Sequence, residues 1–428
     1  MTDVKTLYPN RKISQLAEEL QGSEIIKLAG EIKTQIAEGK EIYNYTIGDF
    51  DPAIFPIPTL LKEEIIRAYE NGHTNYPTSN GIIELRETLS GYIKNKLGIS
   101  YSPDAFLVAG GARPLIYAAY QALLDPDEDA VFPVPSWNNN HYTTLTRGRL
   151  VAVETTAEQN FMPTAGDLAP HIESAGIIAL CSPLNPTGTT FGKTKLSEIC
   201  EMVVAENKRR GEGAKPLYLI YDQIYWQLCH ENHQHFHPVQ LNPEMRPYTI
   251  YIDGLSKAFA ATGVRVGWAF GPGEVIGKMK SILGHIGAWA PKPEQVAAAN
   301  YLADDRSTEI YLDDIKRKLH DRLDGFYRLF LSMKEKGLPV DVIAPQAAIY
   351  LTVQVNLKGK TAPDGNKLQS VKDVTRYILE VAGVALVPFS AFGASENSNW
   401  YRLSVGTSKM SDIDAVGEKL AAAIKRLQ

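Results

Sequence analysis

Four short segments combine residue types that few purely structural roles need together. The richest is Gly254-Leu-Ser-Lys257-Ala-Phe-Ala-Ala-Thr-Gly263-Val-Arg265-Val-Gly267. A lysine just past a buried strand end sits in a cleft of low dielectric, where its ammonium is disfavoured and the free amine becomes a competent nucleophile. Arg265, in a glycine-flanked turn, brings a fixed positive charge to an anion near that amine. Ser182-Pro-Leu-Asn185-Pro-Thr-Gly188 and Tyr221-Asp222-Gln-Ile-Tyr225 each follow a short apolar run. They place a carboxamide, a carboxylate and a phenol at the carboxyl ends of strands, where open α/β sheets bind ligands. Gly110-Gly111-Ala112-Arg113 lies between another apolar run and a helical pattern over 115–124, so its backbone N–H groups and the helix N-terminus form an anion site. Each segment alone has an ordinary reading, as a solvated lysine, a proline turn, a capping aspartate or a tight turn. Their convergence on one set of strand ends is what points to chemistry.

The elements that must position these residues alternate. Compact β-rich runs at 105–108, 130–134, 177–181, 217–221, 249–252 and 266–270 are separated by longer helical or polar stretches. That pattern predicts βα units around a mainly parallel sheet buried on both faces. Ahead of it, 11–40 reads as a helical arm, followed by an apolar run at 42–47. Behind it, Leu312, Ile315, Leu319, Leu323, Phe326 and Phe330 line one face of a long helix. Strands are expected at 349–355, 384–388 and 400–405, and a last helix opening at Ser411 with Asp414 as its capping-box partner. The fold class is therefore α/β, with a large domain over 49–312, a smaller α+β domain over 313–428, and residues 1–48 as an arm and part of the small domain.

Composition narrows the partners. The formal net charge of −5 argues against a nucleic-acid or anionic-membrane surface. The cysteines, Cys181, Cys200 and Cys229, form no CxxC and no paired spacing, which fits a reducing compartment. The amino terminus lacks the apolar core of a signal peptide and no apolar run reaches membrane-spanning length, so the expected location is the cytoplasm.

In order, and from about residue 42 to about residue 405, these segments resemble the fold type I, class I/II aminotransferases of the aspartate aminotransferase group. The resemblance implies a seven-stranded, mainly parallel sheet between helices and pyridoxal 5'-phosphate as cofactor. It implies that Lys257 holds the cofactor as a Schiff base and moves a proton at the substrate Cα, with Asp222 on the pyridine nitrogen and Tyr225 and Asn185 on the ring's phenolic oxygen. Trp137, in Pro135-Ser-Trp137, matches the residue that stacks on the ring. Gly111, Ala112, Arg113, Ser256 and Arg265 match the phosphate site, and Tyr76 a tyrosine that reaches the phosphate of a neighbouring subunit, which implies a homodimer with shared sites. Arg402 matches the arginine that binds the substrate α-carboxylate, and Gly48 a glycine that lets that carboxylate approach. The sequence departs from the pattern at Gly254, where the family often carries a hydroxyl.

The implied reaction is ping-pong transfer of an amino group from an L-amino acid to a 2-oxo acid. A carbon–sulfur β-lyase on the same fold shares the lysine, aspartate and arginine roles, and a ligand-sensing regulator with an aminotransferase-like body is a further alternative. No arginine lies between Arg265 and Arg306, where dicarboxylate enzymes carry a second one. Arg113 stands where one bacterial branch places a lysine, and is the candidate reader of an acidic side chain. Cys229-His230-Glu-Asn-His233-Gln-His235-Phe-His237 has the density of a metal tract, but it falls in a variable loop and is read as solvated, with no functional metal.

Overall fold

β-Branched and aromatic runs, each bounded by turn residues, give the strands β1 (Tyr43–Asn44), β2 (Phe106–Ala109), β3 (Asp129–Val134), β4 (Arg149–Glu154), β5 (Ala175–Cys181), β6 (Tyr218–Asp222), β7 (Thr249–Gly254) and β8 (Gly267–Phe270). Later come β9 (Val340–Val342), β10 (Tyr350–Val355), β11 (Val384–Ala385), β12 (Val387–Pro388) and β13 (Trp400–Ser404). These belong to a computed structural model that describes residues 13–20, 22 and 24–428. The amino-terminal end of the expected 11–40 arm lies partly outside those residues. Within them the arm forms two helices, Gln15–Glu19 and Glu24–Ala37, rather than one.

β2 to β8 form a seven-stranded sheet in the order β2-β8-β7-β6-β5-β3-β4. All pairings are parallel except those of β8, which runs against both β2 and β7. The carboxyl ends of β2, β5, β6 and β7 and the start of β8 therefore share one edge. Alternation along the strands divides the side chains between two cores. Val131, Ile178, Leu219 and Tyr251 join one cluster, while Phe132, Ile177, Ile220 and Ile252 join the other. β4, from the apolar run Leu150-Val-Ala-Val153, adds a strand to the six expected above; it is an edge strand of which only Val153 is buried.

A third core is organised by the four-stranded sheet β12-β13-β10-β9. The 31-residue helix Asp305–Glu335 joins it to the large sheet: Leu312 packs in the large core, and Ile315 through Met333 pack in the small one. The expected strand at 384–388 is divided, since β11 pairs with β1 and β12 pairs with β13. The final helix, Asp412–Lys425, begins after Ser411 but without the expected capping box: the Ser411 hydroxyl pairs with Asp412 and caps no backbone group. Among the described residues no helix is long and apolar enough to cross a membrane.

One loop ties the two halves. Thr352 Oγ1 donates to the Thr187 carbonyl at 2.7 Å and Ala347 N donates to the Gly188 carbonyl at 2.9 Å. Gly188 has φ +70°, and a Cβ there would stand 2.1 Å from the Tyr350 carbonyl oxygen. Gly91, inside the helix Ile83–Leu97, meets nothing within 4 Å. Urea unfolding should therefore show Gly188→Ala destabilised by about 2 kcal/mol or more, and Gly91→Ala stabilised by about 0.5–1 kcal/mol.

Candidate active site

The shared strand edge faces the small sheet across a cleft of about 670 Å³. Its walls include Gly48, Ala112, Arg113, Trp137, Asn185, Asp222, Tyr225, Ser256, Lys257, Arg265 and Arg402. Gly111 adjoins this set, packed against Arg265. Tyr76 stands apart: it is 82% exposed, with its ring edge-on to Trp289 at 5.4 Å.

Glycines set how closely the strand ends meet. Gly267 lies between Ala109 and Gly254 in the sheet, and a Cβ on it would stand 2.6 Å from the Gly111 carbonyl carbon. A Cβ on Gly254 would stand 2.9 Å from Gly267 Cα, so the departure from a hydroxyl at this position follows from the tight crossing of β7 and β8. Gly111 has φ +97°, and any side chain there would collide with the Arg265 guanidinium. Arg265 is held by the Gly110 carbonyl at 2.7 Å and the Thr262 carbonyl at 2.9 Å. The helix Ala112–Leu123 starts at this turn, one turn earlier than its apolar pattern, so Ala112 and Arg113 lie in its first turn. No side chain among the described residues caps that N-terminus, which leaves its N–H groups for an anion.

Lys257 lies on the short helical turn Leu255–Ala258 after β7. Its amine donates to the Gly48 carbonyl at 2.7 Å. Burial, reinforced by the charges of Arg402, Arg113 and Arg265 and opposed by Asp49, pushes its pKa down to about 8. Asp222, at the end of β6, accepts the Ile224 N–H at 3.0 Å. Burial pushes its carboxyl up to about 6, against the pull of that N–H and of Lys257. Tyr225 shares a 2.6 Å hydrogen bond with the Tyr350 hydroxyl, and burial raises both phenols.

Arg402, on β13, is 1% exposed. It donates to Asn185 Oδ1 at 3.0 Å and to the Thr46 carbonyl at 2.6 Å, between the rings of Tyr350 and Phe392. Its buried Nε has no partner among the described residues. A Cβ on Gly48 would stand 2.8 Å from the Tyr350 hydroxyl and 3.5 Å from Arg402 Nη1, so glycine keeps the approach to this guanidinium open. The Arg113 guanidinium lies 5.2 Å from the centre of the Trp137 ring.

Asp49, Thr262 and Tyr350 also line the cleft. Tyr350 belongs to no motif, since it comes from a strand remote in sequence, while Thr262 falls inside the Gly254–Gly267 segment and Asp49 beside Gly48 without a role assigned to either side chain. In the histidine-rich stretch His237 is buried against Tyr251 and His230 pairs with Asp324, so it is in part packed rather than solvated throughout. Among the described residues no group of three or more His, Cys, Asp or Glu side chains is placed to hold a metal ion.

The sequence profile of the family described as aminotransferase class I and II matches residues 41–420. A probable aspartate/prephenate aminotransferase of Rhizobium leguminosarum bv. phaseoli is 29% identical, covering 92% of each chain. An asparagine–oxo-acid transaminase of Streptococcus mutans is 28% identical, over 97% of this chain and 98% of its own. The crystal structure of the aspartate aminotransferase of Rhizobium meliloti superposes with a TM-score of 0.89 at 26% identity, covering 98% of this chain and all of that one. The Thermus thermophilus aspartate aminotransferase with maleate gives 0.85 at 26% identity, covering 96% and 100%.

Asp222 has a consequence for stability. Its carboxyl titrates higher in the fold than in the unfolded chain, so the fold holds more protons between about pH 4 and its own value of about 6, and stability falls as pH rises through that window. In the cofactor-free chain Asp222→Asn should raise Tm at pH 7 by roughly 1–3 °C, with the gain vanishing near pH 4. Calorimetry at the two pH values checks it.

Proposed function

The chain belongs to the class I and II aminotransferases and is a pyridoxal-phosphate-dependent transaminase; from that premise we propose that its donor is an L-amino acid with an acidic side chain and its acceptor a 2-oxo acid. The observation that carries this reading is the pairing of two guanidiniums in one cleft with Lys257, Arg402 deep on the small sheet and Arg113 beside Trp137. Relatives named aspartate and aspartate/prephenate aminotransferases, and a neighbour crystallised with the dicarboxylate maleate, support it. The relatives' names favour amino-group transfer over the carbon–sulfur lyase and the regulator.

The residues fit the cofactor on their own chemistry. Among the described residues no cation is bonded to the Asp222 carboxylate, no side chain caps the N-terminus of the Ala112–Leu123 helix beside Arg265, and a buried donor of Arg402 has no partner. When bound, pyridoxal phosphate supplies an electron sink for the charge left at the substrate Cα. Lys257 anchors it and, once freed, carries the Cα proton; an amine titrating near 8 takes and returns a proton at neutral pH. Asp222 accepts the ring N–H, and that positive partner removes the cost of its burial. Tyr225 and Asn185 would hold the ring oxygen and Trp137 would cover the ring, while Gly111, Ala112, Ser256, Arg265 and the backbone N–H of Arg113 would hold the phosphate, leaving the Arg113 guanidinium for the substrate. Arg402 binds the α-carboxylate as a fork, oriented by Asn185 and Thr46.

The same proposal includes a cytoplasmic homodimer in which exposed Tyr76 reaches the phosphate in the partner's site. It also includes the division into residues 1–48, 49–312 and 313–428, supported by the change of core between Leu312 and Ile315 along one helix.

Mixing the purified yellow protein with single amino acids and following the loss of its visible band tests the substrate class. Aspartate and glutamate should bleach it faster than leucine or phenylalanine. Arg113→Ala should cost about 10–100-fold in kcat/KM for aspartate and less than about 3-fold for leucine. Equal rates for all donors, unchanged by the substitution, overturn the acidic-substrate reading. Lys257→Ala should abolish amino-group transfer, read as oxaloacetate formed from aspartate.

A further inference from the structure

The chain from Thr46 to Asp51 is a strap between the two halves, and the roles above use little more than Gly48 from it. Its carbonyls already serve both sides: Thr46 accepts from Arg402 and Gly48 from Lys257. One contact remains unexplained. The Thr262 hydroxyl donates to Asp49 Oδ1 at 2.7 Å, and the same oxygen accepts the Phe50 N–H at 2.8 Å. Thr262 stands in the turn between Lys257 and Arg265, and its carbonyl accepts from Arg265 Nη1 at 2.9 Å. Asp49 is thus joined through one threonine to the anion-binding arginine, and through its neighbour Gly48 to the lysine. From the small-domain side the strap is fixed by Asp51 N, which donates to the Gly406 carbonyl at 3.0 Å, and by Gly406, where a Cβ would stand 2.1 Å from the Asp49 carbonyl oxygen.

We propose that Asp49 is a positioning residue: its carboxylate, gripped by Thr262, locks the strap onto the Lys257–Arg265 turn and supplies a negative charge that offsets the guanidiniums around Lys257. Lys257 faces the positive charges of Arg402, Arg113 and Arg265, the carboxylates of Asp49 and Asp222, and the phenol of Tyr225. Under the transaminase reading Asp222 is engaged by the ring nitrogen, so Asp49 is the carboxylate left to act on the lysine. In a cleft shielded from bulk water, such a charge acts at strengths that a surface charge does not reach.

The two parts separate by substitution. Asp49→Asn keeps an oxygen for Thr262 and removes the charge; Thr262→Val keeps the charge and removes the donor; Thr262→Ser restores the donor. In the cofactor-free chain, the pH dependence of Lys257 acetylation by acetic anhydride, read by mass spectrometry, gives the amine's midpoint directly. Asp49→Asn should lower that midpoint by about 0.5–1 pH unit, and should lower the pH midpoint of the holoenzyme's visible band in the same direction. Thr262→Val should retain pyridoxal phosphate about 5–10-fold less well on dialysis, with Thr262→Ser close to wild type. An unmoved or raised Lys257 midpoint in Asp49→Asn, or wild-type cofactor retention in Thr262→Val, overturns the proposal. If even the wild-type chain takes up no cofactor, the transaminase reading fails, while the acetylation midpoints still decide the role of Asp49.

Discussion

A guanidinium almost wholly removed from water, with no carboxylate bonded to it among the described residues, is the constraint around which the molecule is arranged. Arg402 is solvated instead by the Asn185 carboxamide, the Thr46 carbonyl and the faces of Tyr350 and Phe392. Burying such a charge costs free energy unless its donors are engaged, and burial lowers its pKa. Each partner is delivered by a different part of the chain. The Ser182–Gly188 loop docks on β10 to bring Asn185, the 46–51 strap crosses to bring Thr46, and β10 itself brings Tyr350. A cation left short of one partner is also a site prepared for an anion, which is why this constraint and the binding of a substrate carboxylate are one matter.

The whole-chain charge of −5 and the cleft have opposite characters. Arg113, Arg265 and Arg402 surround Lys257, and their field adds to burial in pushing its amine down to about 8. Much of the surface, by contrast, is laced with short-range pairs such as Lys215 with Asp125 and Glu128. Net charge therefore bears on the partners a protein repels at long range, and says little about a pocket whose walls stand at or a few residues from the ends of several strands.

How much could be read from the chain depended on whether a residue's role is local. Lys257, Asp222, Tyr225 and Asn185 follow apolar runs whose ends are visible in sequence, and the carboxyl edge of a parallel sheet gathers whatever stands there. The long helix was equally plain, since its apolar face repeats over many turns. β4 is a mismatch of another kind: Leu150-Val-Ala-Val153 is an apolar run, yet it forms an edge strand in which only Val153 is buried. The run 384–388 looked like one strand because its composition is uniform, yet its halves pair in different sheets, and only the tertiary partners decide that. Ser411 and Asp414 have the spacing of a capping box, but the serine turns to its neighbour instead. Tyr350 and the partner of Thr262 escaped notice for a related reason: a hydrogen bond across more than a hundred residues leaves no mark on either segment.

The 31-residue helix that begins in one core and ends in the other is a rod of about 46 Å. A pivot of only about 3° at its middle would swing each end by roughly 1 Å, on the scale that separates a good hydrogen bond from a broken one. Arg402, its flanking rings and the strap would travel with the far half, while Asp222 and the anion turn would stay with the near one. The 2.7 Å bond from Lys257 to Gly48 spans that junction, so the lysine that would have to leave its resting partner to work is also the gauge by which the two halves register their alignment.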